Sequence, residues 1–300
     1  MQKLATLVER VKERKNRIVS VAQADEKEVL LAVKSALEEN LCFFHLFGDK
    51  ARILHLAKDI ELDVGSLSIT NTISVEESAR EAVQLVRNGG AHVLMKGNLP
   101  SALLLKAVLN KEFGIRGGNV LSHAALFEVP NYSKLIMLSD AAMNIAPSLE
   151  EKAAITKNSV FIANKIGITR PKVAVLAAVE YVNPNMQATL DAAQLVELGR
   201  KGEIPNCKIE GPLAFDLAVS KKAAEIKGIS SSVAGDVDIM IAPTIEVGNT
   251  LYKSFIYFAN AKTAAIIVGA KAPIVLTSRS DTFENKVFSL SLALMSSTID

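Results

Sequence analysis

The sequence predicts an α/β protein of two domains, and three observations carry that expectation. Short apolar runs alternate with amphipathic segments along nearly the whole chain, as in residues 17–22 followed by residues 25–39. With 300 residues and 49% apolar content the chain can bury a large core, and at this length two domains are favoured over one. Residues 120–127 and 135–138 read as successive strands without a full helix between them, so the sheet is expected to be mixed, with a domain change nearby.

The elements follow in order. Leu4, Leu7, Val8 and Val11 mark a first helix, residues 17–22 a strand, and residues 25–39 a helix with Asp25 as N-cap and Glu28 three residues on. A strand over 42–46 and a helix over 49–58 come next. Ser74-Val75-Glu76-Glu77 opens another helix as a capping box, Gly89-Gly90 stops it, and 92–95 is the next strand. Further on, Ser148-Leu149-Glu150-Glu151 caps a helix that reaches about 166. Strands at 173–177 and 239–242 follow, with helices at 186–200 and 212–224 between them. Strands at 264–268 and 274–277 precede a terminal helix over 283–295. No linker, repeat or charge block divides the chain, so a domain completed by the carboxyl-terminal segment fits the pattern as well as two consecutive blocks.

Composition narrows the function classes. A net charge of +2, from 34 basic and 32 acidic residues, leaves no basic footprint for nucleic acid. Two cysteines, Cys42 and Cys207, sit in apolar stretches far from metal-type spacing, which suits a reduced, cytoplasmic setting. The amino terminus carries alternating charge without a signal-type apolar run, and no run of about 18 apolar residues occurs anywhere, so a soluble protein without membrane partners is expected. No G-x-G-x-x-G follows the first strand, and no P-loop or G-x-S-x-G elbow is present. His45, His55, His92 and His123 are scattered, so no metal site is expected.

The densest polar cluster is Ser278-Arg279-Ser280-Asp281, which runs from an apolar strand into a helix. A helix start offers unpaired backbone N–H groups, and a serine with an arginine beside them makes a seat for a phosphate or carboxylate. Other polar groups fall past the ends of expected strands, where ligands bind in open α/β sheets: Lys96, Ser122 and His123, Asp140 and Asn144, and Glu246, Asn249 and Lys253. Each has a plain structural reading too. Lys96 reads as a solvated lysine by a turn glycine and His123 as a core histidine. Asp140 and Asn144 read as turn formers ahead of Pro147. Asn249 reads as a helix N-cap with Lys253 on the surface, and Asp281, with Glu284 three residues on, as the cap of the terminal helix. Arg279 is harder to explain away, because an arginine between an apolar strand and a helix start needs an anionic partner.

The segments Pro243-Thr244-Ile245-Glu246-Val247-Gly248-Asn249-Thr250-Leu251-Tyr252-Lys253 and 273–281 resemble the two signature regions of the phosphate acetyl/butyryltransferases. Leu94-Met95-Lys96-Gly97, Leu121-Ser122-His123, residues 127–130, 139–147 and 171–176, and Gly211-Pro212-Leu213-Ala214-Phe215-Asp216 are similar to the butyryl branch in the same order. The resemblance covers residue 90 to the end densely and the first third more loosely.

It implies a two-domain, three-layer α/β/α fold of the isocitrate/isopropylmalate dehydrogenase type with the active site in the interdomain cleft. The first domain would comprise residues 1–130 plus 269–300 and the second residues 131–268. It implies reversible transfer of a short-chain acyl group, butanoyl-CoA plus phosphate giving butanoyl phosphate plus CoA, by direct attack in a ternary complex. Coenzyme A and phosphate are then substrates, no cofactor is bound permanently, and a homodimer or larger homo-oligomer is expected.

Ser278, Arg279 and Asp281 take the catalytic roles on this reading, with Lys96, Arg116, Ser122, His123, Asp140, Asn144, Glu246, Asn249 and Lys253 binding substrate. The chain departs from the acetyl branch at one point. Seven residues beyond the serine, where acetyltransferases of the family carry an aspartate assigned as base, it has Asn285, which leaves Asp281 or Glu284 to take the thiol proton. Acetyl-CoA as substrate is the alternative reading. A metal- and NAD-dependent dehydrogenase of the same fold, for which Asp236 and Asp238 are thin support, and a non-catalytic CoA-binding protein are more distant ones.

Overall fold

Alternation of apolar and amphipathic segments produces eleven strands and eleven helices in the computed structural model, which describes residues 3–14, 16–118, 120–276 and 282–298. The chain divides into two units, Ala5–Asn119 with Ala264–Asp300, and Met1–Leu4 with Val120–Thr263.

The unit that begins at Ala5 runs α1 (Ala5–Lys12), β1 (Ile18–Ala22), α2 (Lys27–Glu38), β2 (Phe43–Gly48), α3 (Lys50–Asp59), β3 (Ser68–Asn71), α4 (Val75–Arg87), β4 (Val93–Lys96) and α5 (Ser101–Val108). The unit that begins at Val120 contributes β5 (Ser122–Glu128), β6 (Ile136–Ser139), α6 (Leu149–Lys165), β7 (Lys172–Leu176), α7 (Gln187–Arg200), β8 (Lys208–Leu213), α8 (Phe215–Val219), α9 (Lys221–Ile226), β9 (Ile239–Ile241) and α10 (Ile245–Tyr257). The chain then returns through β10 (Lys262–Val268), β11 (Ile274–Val275) and α11 (Phe283–Ser296).

In the first of these units the strand order is β3-β2-β1-β4-β11-β10. Strands β1 to β4 and β11 are parallel, and β10 is antiparallel to β11. Four of the five β1 residues are buried, as a parallel strand with both faces covered requires. The returning segment is locked in place. Ile274 and Val275 pair with Leu94 and Met95, and Arg14 and Arg17 donate to the backbone carbonyls of Met295 (2.9 Å) and Thr298 (3.2 Å) at the end of α11. Cations at a helix carboxyl terminus satisfy its free carbonyls and oppose its dipole.

In the second unit the order is β5-β6-β9-β7-β8. Strand β5 is antiparallel to β6, with Leu126 opposite Met137, and the remaining pairs are parallel. The mixed sheet expected from two adjacent strands is present here. The same pairing keeps residues 120–130 with this unit, so the division lies ahead of β5, whereas the expected boundary at 130 followed it. A buried ion pair, Lys152 Nζ to Asp191 Oδ2 at 2.5 Å, joins α6 to α7, and Gln187 donates to the other carboxylate oxygen at 2.7 Å.

Several local expectations need correction. The N-cap of α2 is Glu26, whose side chain does not cap the helix, while Asp25 turns back to accept from the Gln23 amide at 2.9 Å. Residues 208–213 form β8 where a helix from 212 was expected, and two short helices follow in place of one. Gly211-Pro212 lies inside that strand, and a proline read as a helix start misled the pattern. The N-cap of α11 is Thr282, whose hydroxyl accepts from the Asn285 N–H at 3.2 Å, so the capping role expected of Asp281 belongs to its neighbour. Asn249 is no N-cap either, because α10 begins at Ile245. The two capping serines fare better. Ser148 forms the full capping box with Glu151, and Ser74 accepts from the Glu77 N–H, although the Glu77 carboxylate reaches Ile73 in place of Ser74.

Candidate active site

Seven of the twelve expected site residues lie in the second unit, around the carboxyl ends of β6 and β9. Because β5 runs antiparallel to β6, its first residues stand beside the last residues of β6. That brings Ser122 and His123 to Asp140. The Asp140 carboxylate is buried and fully engaged. Its Oδ1 accepts from the N–H groups of Ala142 (2.7 Å) and Met143 (2.9 Å), and its Oδ2 from the His123 N–H (3.1 Å) and the Asn144 amide (2.6 Å). The Asn144 amide also donates to the Leu121 carbonyl at 2.8 Å. Four charge-assisted bonds make this aspartate the tie that shapes the loop from 140 to 144. Ser122 is buried and accepts from the Asn158 amide at 2.9 Å. Ser122, Asp140 and Asn144 therefore shape this loop, and both Asp140 oxygens and the Asn144 amide nitrogen are spent on the protein.

Helix α10, the core of one signature segment, presses on that loop. A Cβ added at Gly248 would stand 2.0 Å from the Asp140 carbonyl oxygen. The next residue, Asn249, donates from its amide to the Ala141 carbonyl at 3.2 Å, and the Ile245 N–H donates to the Ile145 carbonyl at 2.9 Å. Glycine in a helix interior is costly, and this close approach is the reason it is used. A glycine inside a helical pattern was the available signal for that contact.

The same helix carries Tyr252, which sequence reasoning did not single out, with its ring edge-on to His123 at 5.7 Å between centroids. Burial lowers the His123 pKa and the nearby Asp140 carboxylate opposes part of that shift, so the imidazole is held toward its neutral form. Its Nδ1 is sealed from solvent and has no hydrogen-bond partner among the described residues. Glu246 and Lys253 are exposed on α10. The Thr244 hydroxyl and the backbone at Glu246 hold the Glu246 carboxylate below its ordinary pKa.

Beside this helix, at the ends of β7 and β9, lies an apolar crevice of about 730 Å³ whose walls include Leu176, Met186, Phe215, Pro243, Val247 and Leu251. From β7 the chain leaves through α7 toward β8, and from β9 it leaves through α10 in the opposite sense along the sheet order. Divergence of that kind opens a crevice at a topological switch point. Glu246 is its one charged wall residue. An uncharged apolar group suits it, and a phosphate does not.

The remaining candidates belong to the other unit. Lys96 ends β4, half-buried, and its ammonium donates to the carbonyls of Gly97 and Leu99, both at 3.1 Å. Val275 pairs with Met95, so the chain leaves β11 at the sheet edge that carries Lys96. Arg116 is exposed. Ser278, Arg279 and Asp281 lie outside the described residues. Beyond them, on the first turn of α11, stands a residue that sequence reasoning passed over. Lys286 is 8% exposed, and its backbone N–H donates to the Thr282 carbonyl at 3.1 Å.

Two groups weighed for other chemistry are occupied or suppressed. Asp236 pairs with Lys134 and Lys172, and Asp238 accepts from the Lys134 ammonium (2.7 Å) and the Lys172 N–H (2.8 Å). Burial raises the Asp236 pKa, and the two lysines more than reverse it, leaving the carboxyl below its ordinary value. Among the described residues no group of three or more His, Cys, Asp or Glu could hold a metal ion. Burial pushes the Cys42 thiol well above its ordinary pKa and the Cys207 thiol up to about 11.

Comparison with known proteins places the fold. A family model described as phosphate acetyl/butaryl transferase matches residues 73–294, a span that contains both signature segments. The probable phosphate butyryltransferase of Bacillus subtilis (strain 168) is 48% identical over 295 residues, which covers 98% of each chain. The phosphate butyryltransferase of Clostridium beijerinckii is 43% identical over 289 residues, 96% of each. Among solved structures, a branched-chain phosphotransacylase from Enterococcus faecalis V583 superposes with a TM-score of 0.81 at 36% identity, covering 93% of this chain and 98% of that one. The architecture is that of the phosphotransacylases. With the matched span extending over most of its length and relatives of nearly equal size sharing close to half their residues, the chain belongs to the phosphate acetyl/butyryl transferase family of acyltransferases.

Proposed function

We propose that this protein transfers a short-chain acyl group reversibly between coenzyme A and inorganic phosphate, with butanoyl-CoA as the acyl donor. The observation that carries the reading is the 43–48% identity, over nearly the whole chain, to relatives named as phosphate butyryltransferases. Acetyl-CoA as the main substrate has weaker support, since the first relative named a phosphate acetyltransferase is 38% identical.

Phosphate attacks the thioester carbonyl directly, in a ternary complex. As an anion at neutral pH it needs orientation and partial desolvation more than a base. Ser278, Arg279 and the N–H groups at the start of α11 hold it and the charge that grows on the carbonyl oxygen. In the reverse direction a carboxylate, Asp281 or Glu284, takes the proton of the CoA thiol. Suppressed thiols at Cys42 and Cys207 support a route without a covalent enzyme intermediate. Lys96 and Arg116 meet phosphate groups of the substrates. Glu246, Asn249 and Lys253 bind substrate from α10, and His123 offers a neutral imidazole. Ser122, Asp140 and Asn144 serve through the loop they frame.

The enzyme works in the cytoplasm as a homodimer or larger homo-oligomer, on small-molecule substrates alone and without a resident cofactor. Unpaired Cys42 and Cys207 support that setting, as does the observation that no described helix is long and apolar enough to cross a membrane. Thiol release from butanoyl-CoA tests the reaction. It should require phosphate and be indifferent to chelators and to NAD. Binding of CoA with no phosphate-dependent release would reduce the protein to a CoA-binding module.

A further inference from the structure

The two ring nitrogens of His123 face different surroundings. Nδ1 is sealed from solvent and finds no hydrogen-bond partner among the described residues. Nε2 makes no hydrogen bond to them either, yet it is not sealed, so it is the nitrogen that an arriving molecule can reach. Asp140 cannot serve Nδ1. A carboxylate has about four acceptor sites, and here each oxygen already takes two donors. A proton on Nδ1 would therefore be a stranded buried donor, the rarer and costlier kind of unsatisfied group. Placed on Nε2, the proton leaves only a buried lone pair at Nδ1. The imidazolium fails on the same ground, since it carries a proton on both nitrogens. The lowered pKa of the ring agrees with a neutral form.

The ring is also held still. The His123 N–H donates to Asp140 Oδ2 at 3.1 Å and its carbonyl accepts from the Ser139 hydroxyl at 2.8 Å, which pins the start of β5 to the end of β6. Tyr252 meets the ring edge-on, and Tyr252 packs in turn edge-on against Phe127, with 5.3 Å between centroids. A donor fixed before its ligand arrives needs no reorganisation on binding.

We propose that His123 is a neutral hydrogen-bond donor, through Nε2–H, to a carbonyl oxygen of the acyl-CoA substrate. The inference rests on the acyltransferase reading for the identity of the substrate, while the residues that shape the donor all belong to the unit that begins at Val120. A neutral acceptor suits the place. A phosphate dianion would be repelled by the Asp140 carboxylate, whereas a carbonyl oxygen carries only a partial charge. His123 keeps its proton through the reaction, because the nitrogen that could accept another is sealed. It is a donor and not the base for the CoA thiol. The shared chemistry is a neutral carbonyl oxygen, supplied either by the thioester of the acyl group or by an amide of the pantetheine arm.

Nitrogen-15 NMR of histidine-labelled protein near neutral pH reads the tautomer, with His123→Gln identifying the signal. The wild-type ring should be neutral and protonated at Nε2, and its Nε2 signal should move when butanoyl-CoA is added without phosphate. A proton on Nδ1, or a ring signal that ignores butanoyl-CoA, would overturn the proposal. Kinetics distinguish the two carbonyls. His123→Phe removes the donor and keeps a ring against Tyr252, and His123→Gln returns an amide N–H near the position of Nε2. With the thioester as acceptor, kcat of the phenylalanine variant should fall by about a hundred- to thousandfold. With the amide as acceptor, KM for butanoyl-CoA should rise by about two- to tenfold at nearly unchanged kcat. Glutamine should recover part of either loss.

A folded phenylalanine variant with wild-type kcat and KM would overturn the proposal and make His123 a packing residue. Should that variant fail to fold, the NMR of the wild-type protein decides. An Nε2 signal that moves with butanoyl-CoA, in a protein that releases no thiol once phosphate is added, would sink the acyltransferase reading and leave the carbonyl contact standing.

Discussion

Gly248→Ala is the substitution whose effect follows most directly from the geometry. The new Cβ would lie 2.0 Å from the Asp140 carbonyl oxygen and 3.0 Å from both the Asp140 carbonyl carbon and the Ala141 Cα, all backbone atoms that cannot rotate away. Reaching ordinary contact requires α10 or the 140–144 loop to move by about 1 Å. Overpacking of that kind costs ~1–3 kcal/mol. Moving the helix also weakens the bonds from Asn249 to Ala141 and from Ile245 to Ile145, at ~1 kcal/mol each. Alanine returns about 1 kcal/mol through its better helix propensity. The net expectation is a loss of about 2–4 kcal/mol, which in a unit of this size lowers the melting temperature by roughly 4–16 °C.

Urea denaturation followed by circular dichroism measures it, with Gly118→Ala as control. A Cβ at Gly118 meets nothing within 4 Å, so that change should stay within about 0.5 kcal/mol of wild type. Wild-type stability for Gly248→Ala, with unchanged affinity for CoA, would refute the argument that α10 is seated by that contact.

Asp140→Asn replaces one acceptor oxygen by an amide that faces two donors in either orientation, so it should destabilise the protein by about 2–4 kcal/mol in the same denaturation assay. Stability should also fall on acidification through His123. Its folded pKa lies below the ordinary 6.5, so the unfolded state binds the proton more readily, and stability present above about pH 6.5 is lost as the pH drops toward the lower folded value. His123→Gln should flatten that acid slope, although His45, shifted the same way by burial, keeps part of it. Alkylation offers a separate check. Iodoacetamide at pH 7.5 should modify Cys42 and Cys207 slowly and leave turnover unchanged, and Cys207→Ser should be fully active.

Much of the fold was legible because both units are built from buried parallel strands joined by capped helices. The apolar runs of β1, β4, β7 and β9 and the serines ahead of α4 and α6 are local signals that survive in three dimensions. The misses have local causes too. Strand β3 is a short edge with no fully buried residue, so it shows no apolar run, and β8 contains a Gly-Pro pair that imitates a helix start. At the site, sequence reasoning could say which polar residues stand at the strand ends but not which of them the protein consumes. Asp140 looks like a ligand-binding carboxylate until its four donors are counted: three come from residues 142, 143 and 144 in its own turn, and the fourth, from residue 123, arrives through a strand pairing that linear order does not reveal.

The central claim concerns what becomes of the acyl group, so the decisive measurement follows both products of one reaction. Purified protein is given butanoyl-CoA and phosphate, free thiol is titrated, and butanoyl phosphate is observed by phosphorus NMR. Acyl transfer to phosphate predicts one butanoyl phosphate for every thiol released, and no thiol when phosphate is omitted. Thiol released without butanoyl phosphate, or at the same rate in the absence of phosphate, would mean that water is the acceptor and would contradict the account.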